Sequence, residues 1–332
     1  MILVTGAAGH IGNVLVRELL NDGQKVRALI LPGEDISALE GLDIEFIEGN
    51  VLDPQSLDKA MSGVEKVFHL AGIISIMPGQ NNLIRRVNVE GTKNVLRAAI
   101  KAGVKRLVYT SSIHALSRNW KGKIDERVPF DKFNPAGEYD RTKAEASLAV
   151  LEAVEGGLDA VIVCPTGIIG PHDYRGSEVG ELLRNFMRRK THLMIEGAYD
   201  FVDVRDAARG HILASERGRK GEVYILSGWQ IKIFQLKQMV QGVLGLRTAT
   251  IHVPNWLAKF SANFTPLFYR LTKQTPKFTG YSIETVQSNS DISSQKARKE
   301  LGYQPRLMIA TVTDTVKWWL KRDKKAHINQ DF

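Results

Sequence analysis

The segment Thr5-Gly6-Ala7-Ala8-Gly9-His10-Ile11-Gly12, directly after the apolar run Met1–Thr5, constrains this chain more than any other feature. A turn that presents backbone N–H groups and a helix N-terminus to a phosphate needs residues without side-chain bulk. Gly6, Gly9 and Gly12 meet that need. The following stretch Ile11–Leu20 has helical periodicity, so the glycines lie between a strand and a helix, the context in which such spacing holds a dinucleotide. Ala8, His10 and Ile11 complete the candidate cofactor-contacting turn. A plain glycine-rich turn is the weaker alternative.

Beyond the loop, short β-branched runs alternate with amphipathic segments. Lys25–Leu31, Ile44–Glu48, Lys66–Ala71, Arg106–Ser111 and Ala160–Pro165 read as buried strands, with helices over Ile11–Leu20, Leu83–Ala102 and Glu138–Val154. The alternation predicts an α/β fold, a doubly wound parallel sheet of Rossmann type with a smaller C-terminal α/β substrate lobe. Residues 1–170 plus about 199–215 are expected to form the dinucleotide-binding domain. Residues 171–198 plus 216–332 are expected to form the lobe, with strands at Glu222–Ser227 and Thr248–Val253. Tyr199–Ala208 reads as a return to the main sheet. No internal repeat or low-complexity segment interrupts the pattern.

The hydrophobic content of 43% over 332 residues supports a large core, and no run is long and apolar enough to span a bilayer. The chain opens on Met1-Ile2-Leu3-Val4-Thr5 without a charged leader, and Cys164 is its single cysteine. Both point to a cytoplasmic protein and against a cysteine-rich metal site. No His or Cys pair shows ligand spacing, so no metal is expected. The net charge of +9 is concentrated in residues 217–332, which hold 19 basic and 7 acidic side chains, with Lys317, Lys321, Arg322, Lys324 and Lys325 near the end. A solvated helical face explains it, and no nucleic-acid motif accompanies it.

Tyr139 and Lys143 are one helical turn apart, so they share a face, and an ammonium beside a phenol favours the phenolate. Ser111 and Ser112 close the run Arg106–Thr110, at the end of a parallel strand where a ligand crevice lies. Either feature alone is weak, since Tyr-x-x-x-Lys occurs by chance and serines cap strand ends. Their order after the glycine loop is what carries weight. At the end of the second strand, where an acidic residue would hold the adenosine ribose and a basic one a 2′-phosphate, stands Leu31. Leu31 does not repel a phosphate, which tilts the reading to NADP, with NAD the alternative.

With these residues in place the sequence resembles the extended short-chain dehydrogenases/reductases over nearly its whole length. The matching segments are the glycine loop, Val67-Phe68-His69-Leu70-Ala71-Gly72, Asn88-Val89-Glu90-Gly91-Thr92, Tyr109-Thr110-Ser111-Ser112 and Tyr139-Asp140-Arg141-Thr142-Lys143. The resemblance implies that Ser112 polarises a substrate carbonyl, Tyr139 exchanges its proton, and Lys143 holds the nicotinamide ribose while lowering the Tyr139 pKa. It further assigns Leu70, Ala71, Gly72, Thr110, Pro165, Thr166, Gly167 and Ile168 to the cofactor, with Asn88 supporting the loop after the fourth strand. Asn50 and Val51 stand where relatives place Asp for the adenine amino group, and the Asn50 amide oxygen can accept the same bond. His10 is read as packing in the turn.

The run Cys164-Pro165-Thr166-Gly167-Ile168-Ile169-Gly170-Pro171 resembles the branch of dihydroflavonol reductase and 3β-hydroxysteroid dehydrogenase. Ser112 is followed by Ile113-His114-Ala115 rather than the Asp-Glu of dehydratases. Ile73, Ile74, Met77, Leu116 and Ile168 suggest an apolar pocket, so the expected substrate is an apolar ketone, aldehyde or alcohol. The alternatives are an NDP-sugar epimerase/dehydratase and, in another class, a non-catalytic dinucleotide sensor or membrane-surface binding protein. By the resemblance, helices Leu83–Ala102 and Glu138–Val154 pair across a homodimer. His69 is read as a strand residue, Phe201–Asp206 as structural and His172 as open. Trp256, Phe260, Phe264 and Phe268 recur every fourth residue and are read as a core stripe, or as an interfacial flap.

Overall fold

The computed structural model describes residues 1–74, 81–262 and 280–328. In chain order the first half comprises β1 (Ile2–Thr5), α1 (His10–Asn21), β2 (Val26–Ile30), β3 (Glu45–Glu48), α2 (Pro54–Ala60) and β4 (Lys66–His69). α3 (Asn81–Arg85), a π-helical turn (Arg86–Gly91) and α4 (Thr92–Lys101) follow, then β5 (Arg106–Thr110), α5 (Glu138–Glu155) and β6 (Ala160–Pro165). The second half holds β7 (Gly167–Ile169), α6 (Glu178–Arg188), β8 (Thr191–Met194), β9 (Ala198–Asp203), α7 (Val204–Arg217) and β10 (Val223–Leu226). It continues with β11 (Trp229–Lys232), α8 (Ile233–Leu244), β12 (Ala249–His252), α9 (Asn255–Ala262), α10 (Gly280–Gln287) and α11 (Met308–Ile328).

Seven strands form one parallel sheet in the order β10-β6-β5-β4-β1-β2-β3. The order in which strands are added switches sides between β1 and β4, which opens a crevice at the carboxyl ends of the strands. The β-branched runs of β1 and β6 are wholly buried because helices cover both faces. On one face Val14, Leu15 and Leu19 of α1 pack with Ala208, Ile212 and Leu213 of α7. On the other, Leu57 of α2, Val95 and Ala99 of α4 and Ala146 and Val150 of α5 pack on Leu3, Val67 and Leu107. The lobe has its own core, in which Leu183, Phe186, Leu236, Val240, Val312 and Val316 surround Tyr199 and Phe201.

Four sequence expectations change. β10, expected in the lobe, is the edge strand of the main sheet, because its Tyr224-Ile225-Leu226 run is fully buried beside β6. β9, expected to return to the main sheet, joins a separate sheet in the order β11-β9-β7, and it is α7 that returns. β3, expected to be buried, lies at the sheet edge with Phe46 exposed. Trp256 and Phe260, read as core, are 70% and 57% exposed, while Phe264 and Phe268 lie outside the described residues. Thr248–Val253 does contain a strand, β12, paired in parallel with β8.

Candidate active site

The crevice at the sheet reversal is built first by the glycine loop. Gly6 has φ +70°, and a Cβ there would stand 2.7 Å from the Ala71 backbone nitrogen. A Cβ on Gly12 would stand 2.1 Å from the Gly6 carbonyl oxygen. The Gly9 N–H donates to Gly6 O at 3.0 Å, which closes the turn. Gly9 caps α1 without a side-chain hydrogen bond, and no acidic residue occupies the first turn. The amides of that turn are left for an anionic ligand, so the loop fits a dinucleotide pyrophosphate.

The rest of the loop is anchored. Ala8 is buried and Ile11 packs on the core. His10 Nε2 meets Pro171 O at 3.0 Å, and burial holds its ring neutral by lowering its pKa. Thr5 Oγ1 accepts the Ala71 N–H and bonds His69 Nδ1 at 2.7 Å, while His69 Nε2 meets Thr92 Oγ1 at 3.0 Å. His69 therefore ties β1, β4 and α4 together beneath Leu70, Ala71 and Gly72. His172, with φ +66°, stacks on Tyr174 and gives its carbonyl to Asn13, a role in shaping the loop before α6.

Ser112 closes β5 and caps a short 3₁₀ turn, its Oγ accepting the His114 N–H at 3.2 Å. Tyr139 and Lys143 project from the first turns of α5, both buried. The nearby Ser112 side chain draws the Tyr139 phenol pKa down, but burial dominates and pushes it up to about 12. Lys143 Nζ donates to Thr110 O at 2.7 Å and lies 5.0 Å above the Tyr109 ring. Burial lowers its pKa to about 8. The sequence had Lys143 lowering the Tyr139 pKa. Lys143 serves the Thr110 carbonyl, and loss of water around the Tyr139 phenol is the largest influence on its pKa.

Asn88 sits in the π-helical turn between α3 and α4, where one helix was expected. Its Oδ1 accepts the Ile73 N–H at 2.8 Å and its Nδ2 donates to Ile73 O and to Thr142 Oγ1, both at 3.1 Å. The wider turn aims this amide at the loop after β4, a use to which π-turns are often put. Lys143 Nζ would lie 3.5 Å from a Cβ on Gly72, so loop and lysine are in contact distance. Met77 lies outside the described residues.

Not every candidate converges on this centre. Leu31 follows β2 and is 46% exposed. Asn50 folds its Oδ1 onto the Leu52 N–H at 2.9 Å, and Val51 is buried against Gly91, both at the far side of the crevice. Pro165 ends β6, Thr166 links it to the next strand, and Ile168 lies in β7. Gly167 has a packing reason, since a Cβ there would meet the Tyr199 ring at 2.7 Å.

Two constellations were not read from the sequence. Glu34 accepts the Leu31 N–H at 2.9 Å and pairs with Arg175 of the loop before α6 at 2.5 Å, which places a carboxylate at the end of β2. Beside Tyr139, His114, Arg118, Asp140, Tyr199 and Tyr281 form one polar cluster. The Arg118 Nη2 is 2.8 Å from Asp140 Oδ2, and Tyr281 donates to Asp140 Oδ1 at 2.9 Å. These partners come from four separate segments, so spacing could not reveal them.

A parallel sheet with a glycine loop at its reversal and a Ser-Tyr-Lys set across the crevice defines a dinucleotide-dependent dehydrogenase or reductase. Residues 2–227 match the NAD dependent epimerase/dehydratase family, and the chain belongs to it. It is an NAD(P)-dependent oxidoreductase of the extended short-chain type. The chain is 38% identical to sterol demethylase protein B of Methylococcus capsulatus, covering 96% of this chain and 98% of that protein. It is 28% identical to 3 beta-hydroxysteroid dehydrogenase/Delta 5-->4-isomerase of Mycobacterium tuberculosis, over 92% of this chain and 86% of the other. The solved dTDP-glucose 4,6-dehydratase of Streptomyces venezuelae, with NAD and TYD bound, shares the fold at TM-score 0.79 and 22% identity, covering 96% and 97% of the two chains. Among the described residues no helix is long and apolar enough to cross a membrane, and no cluster of metal-ligating side chains occurs.

Proposed function

We propose that the protein reduces the carbonyl of an apolar small molecule, or oxidises the matching secondary alcohol. The carrying observation is the set formed by Ser112 after β5 with Tyr139 and Lys143 buried on the first turns of α5. Bound nicotinamide supplies or takes the hydride. Ser112 holds the substrate oxygen, and Tyr139, whose phenol keeps its proton across neutral pH, donates to that oxygen. Lys143, released from Thr110 O, binds the nicotinamide ribose. The glycine loop takes the pyrophosphate, while Leu70, Ala71, Gly72 and Thr110 line the cofactor's path and Asn50 accepts from adenine. The sugar-nucleotide alternative is disfavoured because the two relatives compared in sequence act, by name, on sterols and steroids.

Leu31 tilted the cofactor reading to NADP. The Glu34 carboxylate held at its N–H tilts it to NAD, because a 2′-phosphate would meet that charge. The chain is read as a cytoplasmic homodimer pairing through α3–α4 and α5, which expose Leu83, Ile100 and Leu148. Exposure of Trp256 and Phe260 favours a second role for α9 as an apolar flap, which absence of co-sedimentation with anionic vesicles would remove.

The test is a screen of ketones, aldehydes and secondary alcohols by nicotinamide absorbance with both cofactors, and NDP-sugars as controls. Tyr139→Phe is expected to lower kcat on the best substrate by at least about 100-fold while dinucleotide affinity stays within about threefold. Epimerisation of an NDP-sugar without net cofactor turnover would refute the reading.

A further inference from the structure

We propose that the Tyr199 hydroxyl donates a hydrogen bond to a second oxygen of the substrate, beside the reacting carbonyl, and that Arg118 and His114 hold it in the donating state. This rests on the carbonyl-reduction reading above and names what its substrate must carry.

The argument begins at Arg118. Its Nη2 lies 2.9 Å from His114 Nδ1, and a guanidinium can only donate, so Nδ1 is the unprotonated ring nitrogen. Burial keeps the imidazole neutral, lowering its pKa to about 3, so its one proton is on Nε2. Nε2 is 2.7 Å from the Tyr199 hydroxyl, which must therefore accept. The Tyr199 proton is left over, and His114 is the only hydrogen-bond partner of that hydroxyl among the described residues. A phenol that accepts on one side and has no acceptor for its own proton in a buried place awaits a ligand oxygen.

The Tyr199 ring lies in the same aromatic group as Tyr139. His114 stacks on Tyr199 with ring centres 5.9 Å apart and stands edge-on to Tyr139 at 6.4 Å, so one imidazole spans the two phenols. His114, Arg118 and Tyr199 line a cleft with Ile113, Leu116 and Ile124. The arrangement is fixed from behind. Asp140, the neighbour of Tyr139 in sequence, holds Arg118 at 2.8 Å and is held by Tyr281 at 2.9 Å. Gly167 leaves the space that the Tyr199 ring fills. Packing alone would be met by phenylalanine and would need neither His114 nor a buried guanidinium. Tyr199 is the donor, and Arg118 and His114 are positioning residues.

The experiment compares cyclohexanone with its 2-, 3- and 4-methoxy derivatives, in which an ether oxygen can only accept. Both kcat/KM and equilibrium dissociation constants are measured on the full chain with its dinucleotide, for wild type and Tyr199→Phe. Wild type is expected to prefer at least one methoxy isomer over cyclohexanone, and Tyr199→Phe to lose about 3- to 10-fold of that preference, read as the ratio of the two ketones within each protein. In ¹⁵N-histidine spectra, the signals lost in His114→Gln are expected to show Nδ1 unprotonated and Nε2 protonated, and Arg118→Met to redistribute that proton. Equal treatment of the four ketones by wild type, a preference unaffected by Tyr199→Phe, or a protonated Nδ1 would each overturn the proposal. A preference in binding without turnover of any ketone would support Tyr199 as donor and count against carbonyl reduction.

Discussion

Gly12 has room for a hydrogen atom and nothing larger. An alanine methyl there would stand 2.1 Å from the Gly6 carbonyl oxygen, and backbone rather than a flexible side chain would have to yield. Gly12→Ala is expected to cost about 1–3 kcal/mol of stability and to weaken NADH binding by at least about tenfold. Urea titration and cofactor fluorescence read the two effects; an unchanged midpoint with unchanged affinity would show that the loop is not the tight turn described. Such a steric demand is local, so it was legible in the spacing of Gly6, Gly9 and Gly12. The protonation of Tyr139 was not, because it depends on how completely α5 and β5 exclude water and on Lys143 finding the Thr110 carbonyl. His114 and Tyr199 meet across 85 residues of chain, a distance no motif records.

At the scale of elements, strands with continuous apolar runs were legible and their partners were less so. Tyr224-Ile225-Leu226 reads as a buried strand in isolation, but only the packed structure shows that it extends the main sheet beside β6 rather than the lobe. The turn after β2 likewise gains its meaning from another element. Glu34 is bound to the Leu31 N–H behind it and to Arg175 from the loop before α6 in front. If Glu34 selects NAD, Glu34→Gln removes the charge facing a 2′-phosphate and frees Arg175 to pair with it. The ratio of NADPH to NADH dissociation constants is then expected to fall by about tenfold. Titration by nicotinamide fluorescence gives that ratio directly. A wild type that already binds NADPH more tightly, or a ratio unmoved by the substitution, would return the choice to the reading from Leu31.

The whole molecule is organised around histidines that it keeps uncharged. His69 binds Thr5 and Thr92 under the cofactor loop, His211 joins Thr110 of β5 to Ala207 of α7, and His114 serves the substrate side. Burial lowers their pKa values to about 3 for His69 and His114 and about 4 for His211. The unfolded chain takes up a proton at each of these positions near pH 6.5, where the folded chain refuses it. Their contribution to stability is therefore complete above about pH 6.5 and is lost as pH falls through the window toward the folded values. Each histidine is worth about 1.4 kcal/mol per pH unit inside that window. Asp200 acts in the opposite sense, since burial raises its pKa to about 6, so the absolute acid profile mixes signs. The difference between wild type and His69→Gln isolates one site, because glutamine can still bridge Thr5 and Thr92 but does not titrate. Measured by urea unfolding between about pH 7 and pH 4.5, the wild type is expected to lose stability faster than the variant by roughly that slope below pH 6.5. Parallel curves for the two proteins across the window would mean that His69 is protonated equally in the folded and unfolded chains.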